Sequence, residues 1–135
     1  SDVALGMDGD DAARRSYALR RKVLRMQESF TAIEELPQPV LAAVHSACVG
    51  GGVDLVTACD MRFCSRDAYF CIKEVDVGLA ADVGTLQRLP KIVGNQSVVR
   101  ELAFTAREVR AEEAKEIGLV GRICENREAL MGTKE

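Results

Sequence analysis

The first long pattern in the chain is a series of apolar residues separated by alternating steps of four and three positions. This spacing places side chains on one face of an α-helix and predicts an amphipathic helix. Asp10 or Asp11 can cap its start, and Pro37 and Pro39 prevent its continuation because proline has no N–H to donate. The apolar positions are Leu19, Val23, Met26, Phe30 and Ile33.

Short apolar segments separated by turn residues follow this helix. The unbroken apolar run at residues 40–44 predicts a strand covered on both faces, and the three glycines at residues 50–52 predict a turn into a short buried helix at residues 53–58. Further strands are predicted at residues 61–64, 69–72 and 119–124. Helical segments are predicted at residues 84–89, ended by Pro90; 97–104, capped by Asn95 or Ser97; and 110–117, stopped by Gly118.

The alternation of strands and helices predicts the α/β class. The 135 residues, 47% of them hydrophobic, suit one domain, and a net charge of -3 gives no general reason to expect nucleic acid as a partner. No apolar stretch is long enough to cross a membrane, and no targeting signal is visible. Five cysteines without a CxxC pair predict reduced thiols in an intracellular protein. Because the chain starts on a loop and ends on a polar tail, we expect a domain incomplete at both ends.

Several kinds of site are excluded by the residues present. His45 is the only histidine, and no Ser or Cys lies in a nucleophile-elbow sequence, so His45 is interpreted as structural. The triple glycine matches neither a P-loop nor a dinucleotide fingerprint. The basic residues of the first helix could attract RNA or a phosphate, but nearby acids offset them and a solvated face is favoured. These basic residues are Arg14, Arg15, Arg20, Arg21, Lys22 and Arg25.

The glycine turn and the helix after it are candidates for binding a negatively charged oxygen. Without a Cβ, the backbone at Gly51 can approach a ligand, and the first turn of a helix has unpaired N–H groups. Gly51 N–H is therefore a candidate oxyanion donor, although a tight turn could require glycine for packing alone. Asp54 lies in the same first turn, where an acid also has a structural use because it interacts favourably with the helix dipole.

Two further acids lie in or beside an apolar segment. Glu74 follows a predicted strand, and Asp82 comes eight residues later, after a segment of mostly small and apolar residues. Such surroundings desolvate a carboxylate, raise its pKa and make it a useful proton carrier near neutral pH. Carboxylates in loops are more often simply solvated, so these residues taken alone leave both interpretations open.

Taken together, these segments resemble the crotonase (enoyl-CoA hydratase/isomerase) superfamily from residue 37 to residue 124. Within it, the resemblance is strongest to the Δ3,5-Δ2,4-dienoyl-CoA isomerases, through the sequence KEVDVGLAADVG at residues 73–84. The other motifs are PVLAAVH at residues 39–45, GGGVDLVTACD at 50–60, GTLQRLP at 84–90, and residues 111–120 ending in GLV.

The resemblance implies a crotonase-like ββα spiral, of which residues 1–135 would be the central portion of a single domain. It implies that Gly51 supplies one oxyanion N–H and that Asp54 and Glu74 occupy positions where typical hydratases have two glutamates. Asp82 stands where hydratases usually carry glycine and dienoyl-CoA isomerases carry aspartate. The second oxyanion donor and much of the adenine site would lie upstream of this sequence.

The implied function is isomerisation of a 3,5-dienoyl-CoA to a 2,4-dienoyl-CoA in fatty acid β-oxidation. Asp54, Glu74 and Asp82 would be catalytic, no cofactor or metal would be needed, and coenzyme A would belong to the substrate. The family also implies a homotrimer or homohexamer in peroxisomes or mitochondria. The alternatives are an enoyl-CoA hydratase and a non-catalytic or RNA-binding crotonase homologue.

Overall fold

The computed structural model describes residues 11–132, and its first element is helix α1, Ala12–Glu34. Asp11 caps this helix by accepting a hydrogen bond from the N–H of Arg14 at 2.9 Å. One of the two expected caps is thereby confirmed, whereas Asp10 lies outside the described residues. The helix ends before Pro37, as predicted. None of its residues is buried, so its apolar stripe is only partly covered.

Beyond α1 the chain alternates strands and helices, as predicted for the α/β class. A 3₁₀ turn, Glu74–Val77, follows the fourth strand. The strands are β1 Leu41–Val44, β2 Ala47–Val49, β3 Met61–Ser65, β4 Tyr69–Cys71, β5 Val109–Arg110 and β6 Arg122–Cys124. The helices are α2 Gly51–Thr57, α3 Thr85–Val93, α4 Gln96–Thr105, α5 Ala111–Glu116 and α6 Arg127–Met131.

The strands form two small sheets between which the chain alternates. One sheet has the order β1-β3-β6 and is parallel throughout, with Val44 opposite Cys64. The other has the order β2-β4-β5, in which β2 and β4 are parallel and β5 is antiparallel to β4. Parallel neighbours need crossover connections, and α2 supplies the first of them, from β2 to β3. Two successive strands, one for each sheet, followed by a helix form the expected ββα spiral.

The core lies between the second sheet and the helices. Its largest fully buried side chains include Phe70 on β4, Val53 on α2 and Leu89 on α3, with Leu119 just before β6. Burying a side chain of this size contributes about 1.5–3 kcal/mol. These contacts fix α2 and α3 against β4, and they therefore determine where the residues at the ends of these three elements lie.

Strand β1 differs from its prediction. It was expected to be covered on both faces, but only Val44 is buried and Leu41 is 44% exposed. Leu41 and Ala43 share one face of the strand and both are exposed, so that face is not covered by the described residues. A continuous apolar run therefore does not by itself show that both faces of a strand are covered.

Helix α3 also differs, because it continues through Pro90 to Val93. Proline removes one hydrogen bond but keeps a φ that suits a helix, and the buried Leu89 holds this segment in place. The helix ends at Gly94, which has a φ of 72° and donates its N–H to the carbonyl of Pro90 at 3.1 Å. A glycine in the left-handed region is the usual stop for a helix.

The C-terminal segment is more ordered than the expected polar tail. Helix α6 begins after Asn126, whose side chain accepts a hydrogen bond from the N–H of Ala129 at 2.8 Å. Leu130 is 2% exposed and anchors this helix on the core. Within residues 11–132, every helix is too short or too polar to span a bilayer.

Candidate active site

The glycine turn between β2 and α2 has different requirements at its three positions. A Cβ at Gly50 would stand 3.2 Å from Oε1 of Glu74, and one at Gly52 would stand 3.3 Å from Sγ of Cys48. Gly50 also has a φ of 54°, which disfavours other residues. A Cβ at Gly51 would meet nothing within 4 Å. Gly50 and Gly52 are therefore needed for packing, whereas Gly51 faces open space.

Gly51 is the first residue of α2, and its N–H has no acceptor within the helix. Gly50, which precedes it, has no side chain that could cap the helix. The amide therefore lies at the positive end of the helix, beside open space, where an oxygen carrying negative charge is favoured. This geometry suits the role of oxyanion donor.

Asp54 is fully buried and connects two helices. Its Oδ1 accepts hydrogen bonds from the backbone N–H of Thr85 at 2.6 Å and from Thr85 Oγ1 at 2.7 Å. Thr85 begins α3, and the glycine before it offers no capping side chain, so Asp54 is the acceptor at the start of that helix. Asp54 therefore has the structural role considered for it, as an acid at the start of a helix, and it serves α3 as well as its own helix. Its Oδ2 is buried without a hydrogen-bond partner in the described chain.

Glu74 is half-buried at the start of the 3₁₀ turn that follows β4. Desolvation raises its pKa above the usual glutamate value, the negative charges of Asp54 and Asp82 raise it further, and backbone hydrogen bonds partly oppose the shift. One carboxylate oxygen, Oε2, is buried with no hydrogen-bond partner among residues 11–132. A raised pKa makes a carboxylate a stronger proton acceptor, which suits Glu74 to the role of general base.

Asp82 lies in the exposed loop before α3. Its backbone carbonyl accepts a hydrogen bond from Nε2 of Gln27 at 2.6 Å, which ties this loop to α1. Asp82 lines a groove together with residues of α1, and Glu74 lines an apolar cavity of about 200 Å³. The charges of Asp54 and Asp82 are close enough that both act on Glu74.

The structure adds residues that the sequence patterns missed. Thr85 binds Asp54, and the guanidinium of Arg88 is 6% exposed and binds the carboxylate of Glu34 on α1. A signal for Thr85 existed, because a helix that starts after a glycine needs an acceptor from elsewhere in the chain. The Arg88–Glu34 pair joins residues 54 positions apart, and no local sequence pattern predicts it.

His45 and the five cysteines are the other residues considered from the sequence for a chemical role. His45 is exposed directly after β1. All five cysteines are free thiols, as predicted, and burial raises the pKa of Cys48 to about 12 and that of Cys64 to about 11. Thiols with such values are poor nucleophiles at neutral pH.

A family model described as enoyl-CoA hydratase/isomerase matches residues 3–134. With the ββα spiral, the open glycine turn and the carboxylates beside it already described, this match identifies the class of protein. The chain belongs to the enoyl-CoA hydratase/isomerase family.

Two relatives and one solved structure show which members of this family the chain is similar to. The chain is 63% identical over 97% of its length to the mitochondrial Δ(3,5)-Δ(2,4)-dienoyl-CoA isomerase of Homo sapiens, and 55% identical over 90% to the peroxisomal one of Arabidopsis thaliana. A crystal structure of an enoyl-CoA hydratase/isomerase from Cupriavidus metallidurans matches with a TM-score of 0.78 and 35% identity. That match covers 83% of this chain and 42% of the other. The chain spans 40% of the human relative and 44% of the Arabidopsis one.

Proposed function

We propose that residues 1–135 form the central portion of a single crotonase-fold domain in an isomerase that converts a 3,5-dienoyl-CoA into a 2,4-dienoyl-CoA. The observation that carries this proposal is the half-buried Glu74, whose pKa is raised by desolvation and by the charges of Asp54 and Asp82. The names of the relatives at 63% and 55% identity support the same substrate class.

The reaction needs two proton carriers that stand apart. Breaking the C2–H bond transfers a proton to Glu74 and leaves an electron pair spread over the diene and the thioester. Asp82 in its acid form then gives a proton to C6, and the electron pair forms the new C–H bond. The proposal requires both carboxylates to reach one bound diene, and the effect of the Asp82 charge on Glu74 supports their proximity. The cycle closes when Glu74 releases the proton taken from C2 and the exposed Asp82 takes one up from solvent.

Gly51 N–H is proposed to stabilise the negative charge that develops on the thioester oxygen by donating a hydrogen bond to it. Oδ1 of Asp54 accepts hydrogen bonds from Thr85, and the charge of Asp54 acts on Glu74. Asp54 is accordingly proposed to tune Glu74 rather than to transfer a proton.

The apolar cavity beside Glu74 is the proposed site for part of the acyl chain. Its walls include Val75, Leu79, Leu86 and Phe104. The proposed steps move protons only, so they call for no electron acceptor, and coenzyme A belongs to the substrate. Because the relatives at 63% and 55% identity are named as mitochondrial and peroxisomal proteins, we propose residence in one of these organelles. The resemblance to the crotonase superfamily is the basis for proposing a homotrimer or homohexamer, with the second oxyanion donor supplied by upstream polypeptide.

Asp82→Asn in the full-length protein tests the assignment of the second proton carrier. We expect turnover of a 3,5-dienoyl-CoA, followed by the absorbance of the product diene, to fall by about 10²–10⁴-fold, the usual contribution of general acid–base catalysis. Asp76→Asn is the matched control, because Asp76 is exposed and pairs with Lys73. Unchanged turnover in Asp82→Asn would rule out its role. Comparable hydration of a 2-enoyl-CoA by the wild-type protein would favour a hydratase instead.

Two substitutions of Gly51 distinguish the effect of losing its N–H from the effect of adding a side chain. Gly51→Ala keeps the N–H and adds a methyl group that meets nothing within 4 Å. Gly51→Pro removes the N–H at the first position of a helix, where proline is well tolerated. We expect the proline variant alone to lose about 10²–10³-fold in kcat. Equal losses in both variants would argue against the oxyanion role.

A further inference from the structure

The guanidinium of Arg88 is held on one edge by helix α1. Its Nε and Nη2 donate to Oε2 of Glu34 at 3.0 and 2.9 Å, and Nη2 also lies 3.2 Å from Oγ1 of Thr31. These bonds fix the plane of the guanidinium, since a carboxylate that accepts from two of its nitrogens leaves little freedom of rotation.

Nη1, on the other edge of the guanidinium, lies near the buried acid of the site but does not hydrogen-bond to it. A Cβ at Gly84 would clash with Nη1 of Arg88 and would stand 3.5 Å from Oδ1 of Asp54. Both atoms therefore lie against the same face of Gly84, and their separation is smaller than the sum of these two short distances. The absence of a side chain at residue 84 leaves this approach open.

Burial makes this proximity electrically important. Within residues 11–132, Asp54 and Arg88 are the charged side chains classed as buried, and each retains an atom without a hydrogen-bond partner, Oδ2 and Nη1 respectively. A buried charge is costly unless an opposite charge lies nearby, and Coulomb interactions are stronger where water is excluded. Glu34 compensates Arg88 only in part, because its side chain is 54% exposed.

We propose that Arg88 is a positioning residue of the isomerase: anchored by Glu34, it holds the carboxylate of Asp54 in place and through it sets the electric field at Glu74. The inference rests on the proposed function for its catalytic consequence, but the coupling between Arg88 and Asp54 is a property of the fold. Without Arg88, the carboxylate of Asp54 would keep Thr85 as its donor but would lack a facing cation. Helix α1 would thereby contribute to the chemistry through Glu34.

The kinetic test uses the full-length protein and places Arg88→Gln in the wild-type and in the Asp54→Asn background. In the wild-type background we expect kcat for a 3,5-dienoyl-CoA to fall by about tenfold or more with KM nearly unchanged. In the Asp54→Asn background the same change should alter kcat by less than about twofold, because residues that act as a unit are not additive. Arg88→Lys, which keeps the charge, should retain more activity than Arg88→Gln.

Arg107→Gln is the matched control, because Arg107 is also partly buried and pairs with Glu101 and Glu113. It should lower the melting temperature with little change in kcat. Equal losses of kcat for Arg88→Gln in both backgrounds would reduce Arg88 to a structural residue and overturn the inference.

A thermal double-mutant cycle tests the coupling independently of activity. If Arg88 and Asp54 interact, the melting temperature lost in the double variant should be smaller than the two single losses combined. Additive losses would overturn the inference whether or not the protein turns over a dienoyl-CoA. Coupling without any dienoyl-CoA turnover in the wild-type protein would instead refute the proposed function and leave the Arg88–Asp54 coupling standing.

Discussion

The contact between Asp54 and Thr85 gives the sharpest stability prediction. Thr85→Val removes the hydroxyl that donates to Oδ1 of Asp54 at 2.7 Å and leaves the backbone N–H bond at 2.6 Å in place. Valine has nearly the shape of threonine, so little packing is lost. Because Thr85 is 1% exposed and Asp54 fully buried, solvent cannot replace the lost donor.

Hydrogen bonds to charged groups contribute about 1.5–3 kcal/mol each, and we expect Thr85→Val to lower the free energy of unfolding by this amount. The control is Thr57→Val, the same exchange at a residue that is 5% exposed and donates to the backbone carbonyls of Val53 and Asp54. Neutral acceptors predict a smaller loss, about 0.5–1.5 kcal/mol.

Urea unfolding of the full-length protein, followed by circular dichroism, measures both losses from the shift in midpoint at constant slope. Asp54→Asn should reduce the cost of Thr85→Val, because the acceptor is then no longer a carboxylate. Losses that are equal for Thr85→Val and Thr57→Val would refute the assignment of Asp54 as the charged acceptor at the start of α3.

Three further predictions concern other contacts. Because the pKa of Glu74 is raised in the folded state, ionisation of Glu74 lowers the free energy of unfolding. This loss is absent below about pH 4 and grows as the pH rises towards neutrality. Glu74→Gln should therefore gain stability relative to the wild type as pH rises in urea titrations, and a pH-independent difference would contradict this. Arg62→Met should lose about 3 kcal/mol in the same assay, since Arg62 donates to backbone carbonyls including that of Leu119 at 2.8 Å, and Arg62→Lys should not restore it. Gly84→Ala should cost about 1–3 kcal/mol by forcing Arg88 aside, and differential scanning calorimetry showing no change would refute the clash.

Much of the fold was predictable because its signals are local. The cap at Asp11, the helix that begins after Asn95 and the stop near Gly118 each depend on residues a few positions apart. The errors have a different origin. The exposure of β1 depends on which elements pack on its faces, and the passage of α3 through Pro90 depends on tertiary packing around Leu89. Strands as short as β5 have too few residues to show a pattern.

The candidate site also combines features that local sequence patterns predict with features that depend on tertiary contacts. The glycine turn predicted the place of Gly51, and the apolar surroundings of Glu74 predicted the direction of its pKa shift. The catalytic roles of Asp54, Glu74, Asp82 and Gly51 stay predictions. The hydrogen bond from the N–H of Thr85, at the start of the next helix, to Oδ1 of Asp54 could not be predicted from local patterns, because it joins residues 31 positions apart.

The open space at Gly84 also constrains how this protein can change over time. A side chain at residue 84 would meet Nη1 of Arg88, and the φ of 157° at this position strains any residue other than glycine. Shortening residue 88 would therefore remove the clash but not the backbone strain. Purifying selection should keep glycine at residue 84 even in a lineage that had already lost the arginine.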